Sequence, residues 1–238
     1  MNVIFVAGTI GAGKSSLTKM LAHDLGSVPF FESVEDNEVL PLFYSDPQKY
    51  AFLLQIYFLN KRFLAMKEAL VHPNNVMDRS IYEDSLLFHL NADLGRVSAV
   101  EVTQYDKLLD TMLAELEDVL PQKQPDLMIH IKVSLDTMLA RIKKRGREYE
   151  QLENDPAIYD YYKELNQRYD EWYEQFNLCP KIQIDGDIFD FVTNDEAATT
   201  VLARIKQELL TLQDTPETKA IYYSNQNIEK GIFNALIK

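Results

Sequence analysis

The stretch Gly8-Thr9-Ile10-Gly11-Ala12-Gly13-Lys14-Ser15 follows directly on the apolar run Asn2-Val3-Ile4-Phe5-Val6-Ala7. It satisfies G-x-x-x-x-G-K-[ST] in full and lies where a phosphate-binding loop must lie, between a buried strand and a helix. Glycines in such a turn let backbone N–H groups point inward around an anion, and the N-terminus of the next helix adds a favourable dipole. Lys14 is expected along the β- and γ-phosphates of a nucleotide. The Ser15 hydroxyl is expected on Mg²⁺, with Ser16 beside it in the first helical turn. The chain is therefore expected to bind a nucleoside triphosphate.

Outward from that loop, strands and helices alternate as in a parallel sheet wrapped by helices. Short apolar runs bounded by polar or turn residues predict strands over 2–7, 28–32, 74–78, 125–131 and 180–184. Helices are predicted over 14–25, 47–70, 80–92, 98–119, 134–145, 156–177 and 194–212. Asp46-Pro47 reads as an N-cap followed by proline at the first helical position, and Ser134 caps the helix carrying Met138, Leu139 and Ile142. The expectation is an α/β P-loop kinase fold, a five-stranded parallel sheet flanked by helices, forming one domain over 1–212. A weakly patterned tail over 213–238 follows.

The 238 residues suffice for one such domain with a sizeable core. A formal net charge of −13 argues against nucleic acid or an anionic membrane as the main partner, since both demand basic surface. The single cysteine, Cys179, excludes an intrachain disulfide and fits a reducing compartment. No apolar run reaches the length of a membrane span, and the first strand begins at once. A cytoplasmic protein is expected.

A phosphate loop alone says nucleotide but not reaction, and three further features narrow the chemistry. Glu32 closes the second predicted strand, and in parallel sheets ligands bind beyond the carboxyl ends of strands. A carboxylate there can accept the proton of an attacking hydroxyl, or be one more solvated acid beside Glu35, Asp36 and Glu38. Asp78-Arg79-Ser80 closes the third strand: the acid suits Mg²⁺, and the guanidinium suits charge developing on phosphoryl oxygens. Arg141, Arg145 and Arg147 concentrate positive charge at a helix end terminated by Gly146. In so acidic a chain they fit an Arg-rich lid closing over triphosphate, or cations placed favourably at a helix C-terminus.

Taken in order, the loop Gly8–Ser15, Phe31-Glu32, Tyr44, Leu54-Gln55-Ile56-Tyr57, Asp78-Arg79-Ser80, Asp84, Arg141 to Glu148 and Asp185-Gly186-Asp187 resemble the deoxynucleoside kinase family. The resemblance covers about residues 1–212 and leans toward the deoxyadenosine and deoxyguanosine kinases of Gram-positive bacteria such as lactobacilli. It implies ATP and Mg²⁺ as cofactors and a 2′-deoxynucleoside as substrate. It also implies that Glu32 is the general base at the 5′-hydroxyl with Arg79 beside it and Asp78 organising the metal, although Asp78 remains an alternative base. Through the same resemblance Gln55 reads the base, Tyr44 and Glu150 hold the sugar 3′-hydroxyl, Phe88 stacks near the base, and Arg62 pairs with Asp84. Asp187 borders the adenine of ATP.

The resemblance further implies a dimer, with an identical or a sister chain, packing helices near 47–70 and 98–119. The stripe Leu108, Leu109, Met112, Leu113 and Leu116 serves that face or the core. Two rival readings remain at this stage: a nucleoside monophosphate kinase of the thymidylate kinase type, and a nucleotide-dependent regulatory protein without acceptor chemistry.

Overall fold

The computed structural model describes residues 3–32, 37–69, 75–119, 125–153 and 158–214. Strand β1 (Val3–Ala7) is buried at every residue, which explains why it reads as an unbroken apolar run rather than an alternating one. Its even residues Ile4 and Val6 join one core cluster with Leu17, Leu21 and Ile129. Its odd residues Val3, Phe5 and Ala7 join another with Leu59, Met66, Tyr105 and Met128. A strand sandwiched between two helical layers is the cause of both patterns.

The remaining strands are β2 (Val28–Phe30), β3 (Asn75–Asp78), β4 (Leu127–Lys132) and β5 (Lys181–Asp185). All pairings are parallel, in the order β2-β3-β1-β4-β5. The central strand therefore delivers the phosphate loop to the middle of the carboxyl edge, with the ends of β2 and β3 on one side and β4 and β5 on the other. That edge is where ligands gather in such sheets.

The helices are α1 (Lys14–Leu25), α2 (Val39–Ser45), α3 (Pro47–Ala69), α4 (Asp84–Asp93), α5 (Ala99–Val119), α6 (Leu135–Arg145), α7 (Ile158–Gln175) and α8 (Asp195–Asp214). The expected caps are present. Asp46 accepts from the Lys49 amide at 3.2 Å, Ser134 accepts from Thr137 at 3.3 Å, and Gly146 ends α6 at φ 74°.

Two local features depart from the sequence reading. Helix α2 is absent from the predicted helices, because seven residues containing Pro41 beside a run of acids carry little periodic signal. Its first turn is held by Asn37, whose side-chain oxygen accepts from Val39 and Leu40 at 2.9 and 3.0 Å. Its apolar side, Val39, Leu40 and Phe43, packs with Ala51, Leu54 and Phe58 of α3. The helix expected from residue 80 starts with a 3-10 turn, Ile81–Glu83, before α4. In the stripe on α5, Leu109 and Leu116 are buried and Met112 and Leu113 pack against the same cluster, so these four belong to the core, while Leu108 is exposed. Helix α8 reaches Asp214, and the rest of the expected tail lies outside the described residues. Among those residues no helix is long and apolar enough to cross a membrane.

The loop itself is tightly seated. At Gly8, φ is +144° and an added Cβ would lie 2.7 Å from the Ile131 carbonyl oxygen of β4. Neither the conformation nor the contact suits a side chain. Gly8→Ala is expected to cost about 2 kcal/mol, read as a lowered unfolding midpoint in thermal denaturation.

Candidate active site

At the carboxyl edge of the sheet opens a cavity of about 540 Å³. The loop contributes Ile10, Gly11, Lys14 and Ser15, β3 contributes Asp78 and Arg79, and the segment after β2 contributes Phe31 and Glu32. Helices α2 and α3 add Tyr44, Gln55 and Arg62, the last residue of α6 adds Arg145, and the turn after it adds Arg147 and Glu150. The wall is completed by Leu40, Phe43, Leu54, Phe58, Leu87, Asn91 and Tyr161. The sequence reading named every charged member together with Ser15, Tyr44 and Gln55, but not Asn91. It passed over most of the apolar ones, because a pocket-facing phenylalanine and a core phenylalanine look alike in a sequence.

Lys14 is buried and donates to the Thr9 carbonyl at 2.9 Å, so its ammonium lies inside the curve of the loop. Burial and the neighbouring Arg79 guanidinium lower its pKa to about 8. Ser15 donates to one oxygen of Asp78. The other oxygen, Oδ1, is buried without a hydrogen-bond partner among the described residues. Burial raises the Asp78 pKa, although Lys14 opposes that shift. A hydroxyl and a carboxylate held together beside the phosphate loop, with one carboxylate oxygen still unengaged, form a donor set suited to a hard cation.

Glu32 occupies the centre. One of its oxygens accepts from Arg62 Nε at 3.1 Å and also from the Nη2 of the same arginine. The other oxygen accepts from Arg79 Nε at 2.9 Å. Burial alone would push this carboxyl up, but Arg62 and Arg79 outweigh it and hold the pKa at about 2. The chain folds this way because Arg79 leaves β3 in a left-handed conformation, φ 72°, while its amide still donates to Val6 of β1 at 3.0 Å. Such a conformation is uncommon for a non-glycine residue and clusters at functional sites. Arg62 also pairs with Asp84, whose other oxygen accepts from the Tyr105 hydroxyl at 2.8 Å. Gln55 donates to the Asp84 carbonyl at 3.1 Å, which sets the orientation of its amide.

At the far end, Glu150 is buried and pairs with Arg145 and, at 3.4 Å, with Arg147. Its backbone carbonyl accepts from Tyr162 at 3.0 Å. The Tyr44 ring lies 5.1 Å from that of Tyr149. Tyr44 and Glu150 both line the cavity here.

Four expected residues outside the phosphate-loop segment do not line the cavity. Phe88 does not line the cavity; it is fully buried in the core, its ring 4.3 Å from that of Tyr105 and 6.1 Å from that of Phe52. Asp84 reaches the cavity through Arg62 and Gln55. Asp187 is exposed and accepts from the Ser134 amide at 2.9 Å, which fixes the start of α6. Arg141, expected to reach triphosphate with Arg145, instead donates to the Ala12 carbonyl at 2.9 Å and the Gly186 carbonyl at 2.8 Å. It clamps the phosphate loop to the turn after β5. One helix face carries both arginines, but the earlier one meets the loop backbone before it meets open space.

A phosphate loop at the middle of a parallel sheet, facing an acid–arginine centre from the neighbouring strands, defines a P-loop phosphotransferase. Residues 4–211 match the family model described as deoxynucleoside kinase, and the chain belongs to the deoxynucleoside kinase family. It is 57% identical over 209 residues to a deoxyguanosine kinase of Lactobacillus johnsonii, covering 88% of this chain and 93% of that one. It is 50% identical to a deoxyadenosine kinase of Lactobacillus acidophilus, covering 88% and 97%. Among solved structures, deoxyadenosine kinase from M. mycoides with bound dATP superposes with a TM-score of 0.70 at 29% identity, covering 86% of this chain and 99% of that one.

Because Arg141 ties two backbone segments together, Arg141→Met is expected to destabilise the free protein by about 2 kcal/mol. A lowered thermal midpoint without nucleotide checks this. An arginine reserved for triphosphate would leave that midpoint unchanged.

Proposed function

We propose that the chain transfers the γ-phosphoryl group of ATP to the 5′-hydroxyl of a purine 2′-deoxynucleoside. The observation that carries this reading is the position of Glu32, an ionised carboxylate facing the same cavity as the phosphate loop and gripped by Arg62 and Arg79. Phosphoryl transfer needs mainly positioning and charge stabilisation, so a weak but permanently ionised base in the right place suffices. Glu32 accepts the hydroxyl proton. Arg79 neutralises charge on the transferring group, and Lys14 binds the β- and γ-phosphates.

Asp78 is tied to Ser15 and suits Mg²⁺ better than proton transfer. Those two residues would hold the ion, which when bound supplies charge neutralisation on the phosphates. Arg145 and Arg147 act as the lid. Tyr44 and Glu150 hold the 3′-hydroxyl, and Gln55 addresses the base between the apolar walls Phe43, Phe58 and Leu87. The names of the lactobacillus relatives support a purine.

A monophosphate acceptor would need a spare cation near Glu32, and both guanidiniums there already serve carboxylates. The exposed apolar residues Leu53 and Leu64 of α3 and Val100 and Leu108 of α5 support a dimer through these helices, which size-exclusion chromatography tests directly.

ATP consumption should appear with deoxyguanosine or deoxyadenosine and not with deoxynucleoside monophosphates. Turnover only with a monophosphate would overturn this reading. Glu32→Gln should lower kcat by about two orders of magnitude or more while ATP affinity, measured by calorimetry, stays within about twofold. The pH profile has a definite sign. Lys14 must be protonated to bind phosphate, so kcat/KM for ATP should fall as pH rises through about 8. Glu32, at about 2, stays ionised and should contribute no acid limb in the neutral range.

A further inference from the structure

Arg79 has a rear attachment that the proposed chemistry does not use. Its Nε faces Glu32, while its Nη1 donates to the hydroxyl of Tyr169 on α7. That hydroxyl donates in turn to Glu83 Oε2 at 3.2 Å, and Glu83 Oε1 lies 3.6 Å from Arg79 Nη1. Glu83 is fully buried and Tyr169 almost so, and Glu83 has no other ion pair among the described residues. The Tyr169 ring is itself fixed, nearly parallel to His130 of β4 at 6.0 Å and edge-on to Trp172 at 6.1 Å.

We propose that Tyr169 and Glu83 are positioning residues that brace the Arg79 guanidinium in the plane and direction phosphoryl transfer requires. The proposal rests on the kinase reading above. Packing alone does not explain the trio, because phenylalanine would fill the same space and keep the same ring contacts. A buried carboxylate is costly unless paired, and the partner here is a residue whose backbone is already strained. Strain of this kind persists only where surrounding groups over-determine the conformation. A guanidinium has donors on several sides. With one side held by Glu32 and another by the Tyr169–Glu83 pair, rotation about its long side chain is removed before substrate arrives.

The test is Tyr169→Phe, assayed with ATP and the deoxynucleoside the wild type accepts. The expected result is a fall in kcat of about tenfold with KM for the deoxynucleoside changed by less than about threefold. In an Arg79→Lys background the same substitution should change kcat by less than about twofold, because lysine offers no second nitrogen to the tyrosine. Wild-type kcat in Tyr169→Phe would overturn the proposal. So would an equal loss in both backgrounds, which marks a purely structural role. Should Tyr169→Phe fail to fold, the same pair of comparisons with Glu83→Gln decides in its place. A wild type that turns over no deoxynucleoside would sink the functional reading instead, and the wild-type control shows this separately.

Discussion

Two guanidinium groups from distant parts of the chain, Arg62 on α3 and Arg79 at the end of β3, meet on the one carboxylate of Glu32. Removing these charges from water costs several kcal/mol for each ion, recovered only if every group finds partners in good geometry. The rest of the site follows from that requirement. Asp84 answers the second side of Arg62, and Glu83 with Tyr169 answers the second side of Arg79. The 3-10 turn after β3 exists to aim two consecutive acids at two different arginines. Truncating any one member leaves a neighbour buried and unpaired, so the arrangement stands or falls as a unit.

The counts are deliberately uneven. Around Glu32 the trio of carboxylates Glu32, Glu83 and Asp84 faces a pair of guanidiniums, and burial raises the Glu83 pKa although Arg79 opposes that shift. Lys14 and Asp78 sit one layer nearer the phosphate loop, as a further cation and a further acid. The site therefore presents no large positive field of its own, consistent with a chain of net charge −13. The other cations lining the cavity are Lys14 of the loop and Arg145 and Arg147 at and after the end of α6.

Much of this was legible in the sequence, for identifiable reasons. The phosphate loop, the buried strands and the capped helices each carry local signals, namely glycine spacing, unbroken apolar runs, and Asp-Pro or Ser at helix starts. They are reproduced almost residue for residue. Glu32, Asp78 and Arg79 were legible because an acid or arginine at a strand end has few structural reasons to be there, whereas Tyr44, Arg62 and Glu150 came only through the resemblance to the kinase family. Phe88 was misplaced because its role depends on which side of α4 faces Tyr105, and that is settled by tertiary packing. Arg141 was assigned to phosphate because sequence shows that a helix face carries cations, and not which backbone carbonyls that face meets. Glu83 and Tyr169 carried no signal: a glutamate beginning a helix reads as dipole compensation, and a tyrosine among many in α7 reads as core.

Glu83 and Asp84 are adjacent in the chain, yet one faces Arg79 on the phosphate-loop side of the site and the other supports the wall behind Gln55. No loop separates the two duties. A lineage exploring new substrates cannot lengthen or shorten this segment to reshape one wall, because any insertion would swing the other acid off its arginine. Diversification here is confined to substitution at constant length, and each exchange on the substrate side is felt one peptide bond away by the machinery of transfer.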